Sequence, residues 1–334
     1  MKRRLLFKKI HSRRIVLKAE HLPYISKTRK YKDARQKRTI QYKVPDRFEL
    51  LSNHNEVIGF MNKLLEARQD RKLKLIRLDL SDVMAMDSSA LCLLLSVINE
   101  LAYSRIKVTG NYPNNYDCTR MFVESGFLQY MRDEQGNRFN IESPNFIKEA
   151  GKSQTKNKNI SEAVRKATGF LTGSAVRYQP AYTVSMEICT NSVEHAYDRR
   201  PVHWLMSVHK KNEDTVAFTM VDTGVGILKT LKRKFRHEIE DILSFRDNKD
   251  ILFRAFQRKY GSSTEMVNRN KGLPCVYDKY QNGLIKTLKV ITNDVYLDFE
   301  RKNVEFPMQQ PFSGVLFYWE IDNGCLDNHK KMAI

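Results

Sequence analysis

Leu50, Val57, Phe60, Met61, Leu64 and Leu65 recur near helical spacing and predict a helix over residues 48–68. The run LKLIRLDLSDV then alternates, with Leu73, Leu75, Arg77 and Asp79 on one parity and Lys74, Ile76, Leu78 and Leu80 on the other. One parity is the more apolar, as in a largely buried strand. Met86 to Ser89 forms a turn in which Ser88 or Ser89 caps a helix over 90–103. A short strand over 105–109 follows, then the breakers Gly110 and Pro113, then a helix over 116–125 that ends at Gly126. This strand–helix rhythm predicts an α/β domain over 46–135. The polar stretch 136–165, with GKSQTKNKN at its centre, reads as a linker. A second domain over 166–325 opens on a long helix, 174–197. Its strands at 204–210, 216–222, 287–292 and 315–321 alternate with helices at 228–244 and 250–258, again an α/β pattern.

Composition is that of a folded protein, with 41% hydrophobic and 10% aromatic residues. No run approaches the 18 apolar residues that a membrane span requires, and the apolar stretch after MKRR is too short for a signal peptide. Five scattered cysteines with no CxxC spacing point to reduced thiols, no structural zinc and a cytoplasmic location. Charge adds the most. Residues 1–45 hold sixteen Lys or Arg against two acids, Glu20 and Asp33, so most of the formal net charge of +20 sits in this basic N-terminal arm. The arm reads as a solvated tail, as a nucleic-acid contact in which Tyr24, Tyr31 and Tyr42 stack on bases, or as a dock for an acidic protein.

Two segments carry candidate chemistry. In the long helix Glu187, Asn191 and His195 are spaced by four and share one face. A carboxylate there can act as a general base, and an amide oxygen can ligate magnesium. Further on, the β-rich run VAFTMV empties into Asp222-Thr223-Gly224-Val225-Gly226, a place where backbone can approach a ligand and an acid can accept a hydrogen bond from an amine.

Taken together, ExxxNxxxH, then DxGxG, then RNKGLP, then GVLFYWEI resemble in order the GHKL (Bergerat-fold) ATPase superfamily, which includes the anti-sigma-factor serine kinases. The resemblance covers about 145 residues. It implies an α/β sandwich, a mixed sheet with helices on one face, that binds ATP and Mg2+. Glu187 would orient the attacking water and Asn191 would ligate magnesium. Asp222 would bind the adenine amine, with Gly224 and Gly226 letting the backbone pass beside adenine and ribose. Lys271 and Gly272 would lie by the triphosphate, and Ser263 and Thr264 would belong to a lid turn reaching the terminal phosphate. Asn270 and Val315 depart from the family's glycine and threonine at those positions.

The first domain is similar to a STAS domain, the fold of anti-sigma-factor antagonists, through LIRLDLSDV and Asp87-Ser88-Ser89-Ala90-Leu91. In that family the serine after the aspartate is a phosphorylation site, which implies Ser88; an N-cap serine is the structural alternative. The leading expectation is a regulatory ATP switch with slow hydrolysis that controls a protein partner or a homodimer interface, with no membrane association. The alternatives are a serine kinase acting on Ser88 or a related protein, and a nucleic-acid-associated ATPase of a bacterial defence system that grips phosphates through residues 1–45.

Overall fold

The computed structural model describes residues 15–17, 38–133, 135–139, 146–150, 157–194, 203–234, 247–257, 272–301 and 304–332. The chain divides into two compact units, Met1–Asn145 and Phe146–Ile334.

In the first unit the alternation at Leu73–Asp79 builds the central strand. The strands are β1 (Ile15–Leu17), β2 (Arg38–Lys43), β3 (Arg47–Phe48), β4 (Leu73–Asp79), β5 (Ala85–Met86), β6 (Lys107–Gly110) and β7 (Met131–Arg132). Five of them form one sheet in the order β2-β4-β6-β1-β7; β3 and β5 pair separately. β2, β4 and β6 are parallel, while β1 runs antiparallel to both β6 and β7. Parts of the basic arm thus enter the sheet: β1 lies inside it and β2 forms one edge. Ile76 and Leu78 of β4 are buried, as the apolar parity requires.

Helices α1 (His54–Glu66), α2 (Ser88–Tyr103) and α3 (Tyr116–Glu124) complete the unit. The helical stripe of α1 buries Val57, Phe60, Met61 and Leu64. Apolar residues surround α2 on nearly every side, and it is buried almost throughout. Its cap is neither serine. Asp87 is the N-cap, its Oδ1 accepting the Ala90 amide at 2.6 Å, and Ser88 and Ser89 are the first helical residues. A carboxylate reaches the third amide of a first turn as a hydroxyl does, and it adds negative charge at the positive end of the helix dipole.

The second unit is built on β8 (Phe146–Ala150), β9 (His203–Asn212), β10 (Thr215–Asp222), β11 (Lys286–Asp298) and β12 (Val304–Asp322), ordered β11-β12-β10-β9-β8. All four pairings are antiparallel, where a mixed sheet was expected. Around it stand α4 (Asn157–Thr172), α5 (Gln179–Glu194), α6 (Ile227–Lys234), α7 (Asn248–Phe256), α8 (Gly272–Gln281) and α9 (Asn323–Met332). One parity of the sheet packs with these helices in a single core: Val216, Phe218 and Met220 of β10 with Trp204, Met206, Phe317 and Trp319 of its neighbours. α4 contributes Ile160, Val164 and Ala167, and α5 contributes Ala181, Val184 and Ile188. The polar stretch 136–165 therefore supplies an edge strand, β8, and most of the first helix of this unit. Parallel and antiparallel sheets with flanking helices make the protein a mixed α/β chain. Among the described residues no helix is long and apolar enough to cross a membrane.

Candidate functional site

β10 is a central strand with all eight residues buried, and it delivers Asp222 at its end, level with Trp204 on β9 and Val315 on β12. The Asp222 side chain belongs to the helix-facing parity and is 7% exposed. Its two oxygens are held separately: Ser192 Oγ donates to Oδ2 at 2.8 Å, and the Gly224 amide donates to Oδ1 at 2.9 Å. Burial lifts the carboxyl above the ordinary carboxylate range, opposed by those two donors and by the Val315 amide. These three donors leave about one acceptor direction of the carboxylate for an approaching amine.

The loop after Asp222 is pinned from β11. Thr292 Oγ1 accepts the Ile227 amide at 2.9 Å and donates to the Gly314 carbonyl at 3.0 Å. Asn293 Oδ1 accepts the Leu228 amide at 3.1 Å and the Lys229 amide at 3.4 Å, while its Nδ2 donates to the Val225 carbonyl at 3.0 Å. Gly226 has φ +89°, and a Cβ there would stand 2.6 Å from Asn293 Nδ2. Glycine is therefore required at 226 by a neighbouring side chain as well as by the backbone turn.

α5 brings the other half of the site. Ser192 and Asn191 are adjacent, so the helix that holds Asp222 also presents the amide of Asn191. That amide lies against the first residue of α8: a Cβ on Gly272 would stand 2.6 Å from Asn191 Nδ2 and 2.9 Å from Oδ1. Asn191 Nδ2 is buried and makes no hydrogen bond among the described residues. A buried amide without a partner costs about 1–3 kcal/mol, which an incoming ligand or water can recover. Glu187 is one turn earlier on α5 and half-buried. An amide and a carboxylate one turn apart fit a magnesium ion that keeps most of its waters.

The structure thus brings Asp222, with Gly224 bonded to it, and Gly272 to the adjacent Ser192 and Asn191 of α5, with Glu187 a turn away on the same helix, while Gly226 packs on Asn293 of β11. His195, Ser263, Thr264, Lys271 and Asn270 lie outside the described residues. Ser88 belongs to the first unit, as the first residue of α2, and is 6% exposed.

Asp87 beside it is titratable. Burial, against the Ala90, Leu51 and Leu50 amides, pushes its carboxyl up to about 6. The folded state then holds this proton more tightly than the unfolded chain. The contribution to stability is full below the ordinary carboxylate value of about 3.9 and is lost as pH rises through about 6. Urea unfolding of the first unit, followed by circular dichroism, should show wild type losing up to about 3 kcal/mol relative to Asp87→Asn between pH 4 and pH 7.5. Parallel pH profiles for the two proteins would exclude this titration.

Three site residues were not anticipated from the sequence. Ser192 hides beside the more conspicuous Asn191. Thr292 and Asn293 lie in KVITNDVYLDF, where a polar triplet interrupts an apolar strand; that interruption, with asparagine disfavoured in strand interiors, is the available signal of a bulge. The strand register does shift on both sides of Asn293, whose φ is +54°. No family model matches the chain, and no curated protein or solved structure matches it.

Proposed function

We propose that the second unit binds ATP with magnesium in a GHKL-type pocket, and that nucleotide occupancy acts as a switch for partner binding in a chain whose first unit is STAS-like. The observation that carries this reading is the meeting of three motifs distant in sequence: adjacent residues of α5 touch the Asp222 loop through Ser192 and the start of α8 through Asn191. In this reading Asp222 accepts from the adenine amine. Asn191 and Glu187 face the phosphate end, where magnesium neutralises charge and Glu187 orients water for slow hydrolysis. The α8 N-terminus, beginning at Gly272, offers amides and the positive end of its dipole to phosphate oxygens. Helices packed on one parity of the five-stranded sheet support an α/β sandwich, although its pairings are antiparallel.

Calorimetric titration with Mg·ATP tests the assignment. Asp222→Asn replaces an acceptor by a group that is half donor, and Asn191→Ala removes the amide; each should weaken ATP binding about tenfold or more. ATP affinity equal to wild type in both variants would overturn the pocket.

A further inference from the structure

A helix ordinarily satisfies its first amides with the side chain of its own N-cap residue. α6 cannot, because the residue at that position is Gly226. The acceptors come instead from β11, more than sixty positions along the chain. Thr292 Oγ1 takes the amide of Ile227, and Asn293 Oδ1 takes those of Leu228 and Lys229. The first three amides of α6 are thus taken up within the protein.

Asn293 does a second thing that capping does not require. Its Nδ2 donates to the carbonyl of Val225, which lies between the two glycines of the Asp222–Gly226 loop. Oδ1 thus holds the helix and Nδ2 holds the loop, and the ring of contacts closes through Gly226, whose missing Cβ makes room for the amide. The residue is suited to its place: φ +54° is a conformation that asparagine tolerates better than most residues, and it sits in a strand bulge that turns its side chain out of the ladder. Asp294, next along, accepts from Asn248 Nδ2, while Asn248 Oδ1 accepts from Lys232 Nζ on α6 at 2.6 Å. The bulge is therefore tied to α6, α7 and the loop at once.

We infer that Asn293 is a positioning residue for the base-binding end of the nucleotide site, fixing the Asp222–Gly226 loop through Val225 while capping α6. This rests on the ATP-pocket reading above. It makes the purine-dependent part of binding, and not the phosphate-dependent part, sensitive to Asn293.

The substitution Asn293→Asp separates the two tasks. A carboxylate keeps the acceptor for Leu228 and Lys229 at a helix N-terminus, where negative charge is favourable. It has no donor for Val225 and repels that carbonyl. Mg·ATP and Mg·tripolyphosphate are titrated calorimetrically into wild type, Asn293→Asp and Asn293→Gly, with tryptophan fluorescence checking that the second unit is folded. The expected result is ATP affinity down about tenfold in both variants, with tripolyphosphate affinity unchanged. Asn293→Gly keeps the positive φ without the side chain, so it supplies the answer should the aspartate variant not fold. Unchanged ATP affinity in folded variants overturns the inference, as does an equal fall for ATP and tripolyphosphate, which would mark a general structural role. A wild type that binds no ATP overturns the pocket reading itself, a result distinct from either of these.

Discussion

Gly226→Ala will lower the stability of the second unit by about 3 kcal/mol. Two independent costs meet at this position. At φ +89° an L side chain is strained, which accounts for about 1 kcal/mol. The new Cβ would also lie within 2.6–2.7 Å of the Asn293 amide nitrogen and carbon, so that side chain has to leave. Moving it abandons its bonds to Val225, Leu228 and Lys229, and each polar group left buried without a partner adds on the order of 1 kcal/mol or more. Urea unfolding followed by tryptophan fluorescence reads this unit selectively, because the two tryptophans of the chain, Trp204 and Trp319, both belong to it. A double-mutant cycle separates the costs. In an Asn293→Gly background the steric conflict is gone, and Gly226→Ala should cost only about 1 kcal/mol, the remainder appearing as coupling between the two sites. An unchanged unfolding midpoint in the single variant, or additive losses in the double, would show that the Gly226–Asn293 contact does not govern this loop.

The same pair shows what a sequence discloses and what it withholds. Gly224 and Gly226 stand out because glycine after a β-rich run has few uses, and Asp222 stands out because an acid at a buried strand end is expensive. Asn191 and Glu187 share a helix face by simple arithmetic, but that spacing gains meaning only with the glycine motifs that follow it in order. Asn293 is not legible in this way, since its meaning depends on which strand lies beside the loop, and pairing across more than sixty residues leaves no local trace beyond the break in strand alternation. Ser192 is hidden for another reason: serine on a helix commonly back-bonds to the preceding turn, and here its one proton is shared between the Ile188 carbonyl at 3.1 Å and Asp222 at 2.8 Å, the latter a contact that exists only in the fold.

Element existence was legible where apolar periodicity was strong, in β4, α2, β9 and β10. It failed in the polar stretch 136–165. An edge strand has one free side, and α4 exposes Lys158, Glu162 and Arg165, so composition there resembles a linker. The sheet of the second unit was misjudged in direction because strand direction depends on connections, not on the residues of each strand. At α2 the cap was credited to serine although aspartate fills the same role one residue earlier. The proposed assignment to ATP rests on motif order and geometry together, and the titrations above test it; the STAS-like reading of the first unit rests on its motif alone.

Trp319→Ala will cost the second unit about 4 kcal/mol, and for a unit of this size the urea midpoint should fall by about 2 M. Trp319 is fully buried on β12, its ring stacked on Phe218 of β10 at 5.2 Å between centroids and 7° between planes. Phe218 in turn faces the α4 and α5 side of the core. Truncation leaves a cavity in the middle of the sheet where neither strand can move inward, because β12 is paired on both sides. The indole brings one unfavourable term: its Nε1 is buried and without a hydrogen-bond partner among the described residues. Trp319→Phe therefore removes an unsatisfied donor while keeping a stacked ring, and its loss should be well below half that of alanine despite the smaller volume. A phenylalanine variant as unstable as the alanine variant would mean that the indole N–H is satisfied after all. The phenylalanine variant has a second use. It leaves Trp204 as the sole tryptophan, level with Asp222 in the sheet, so on the proposed ATP reading Mg·ATP should change its emission.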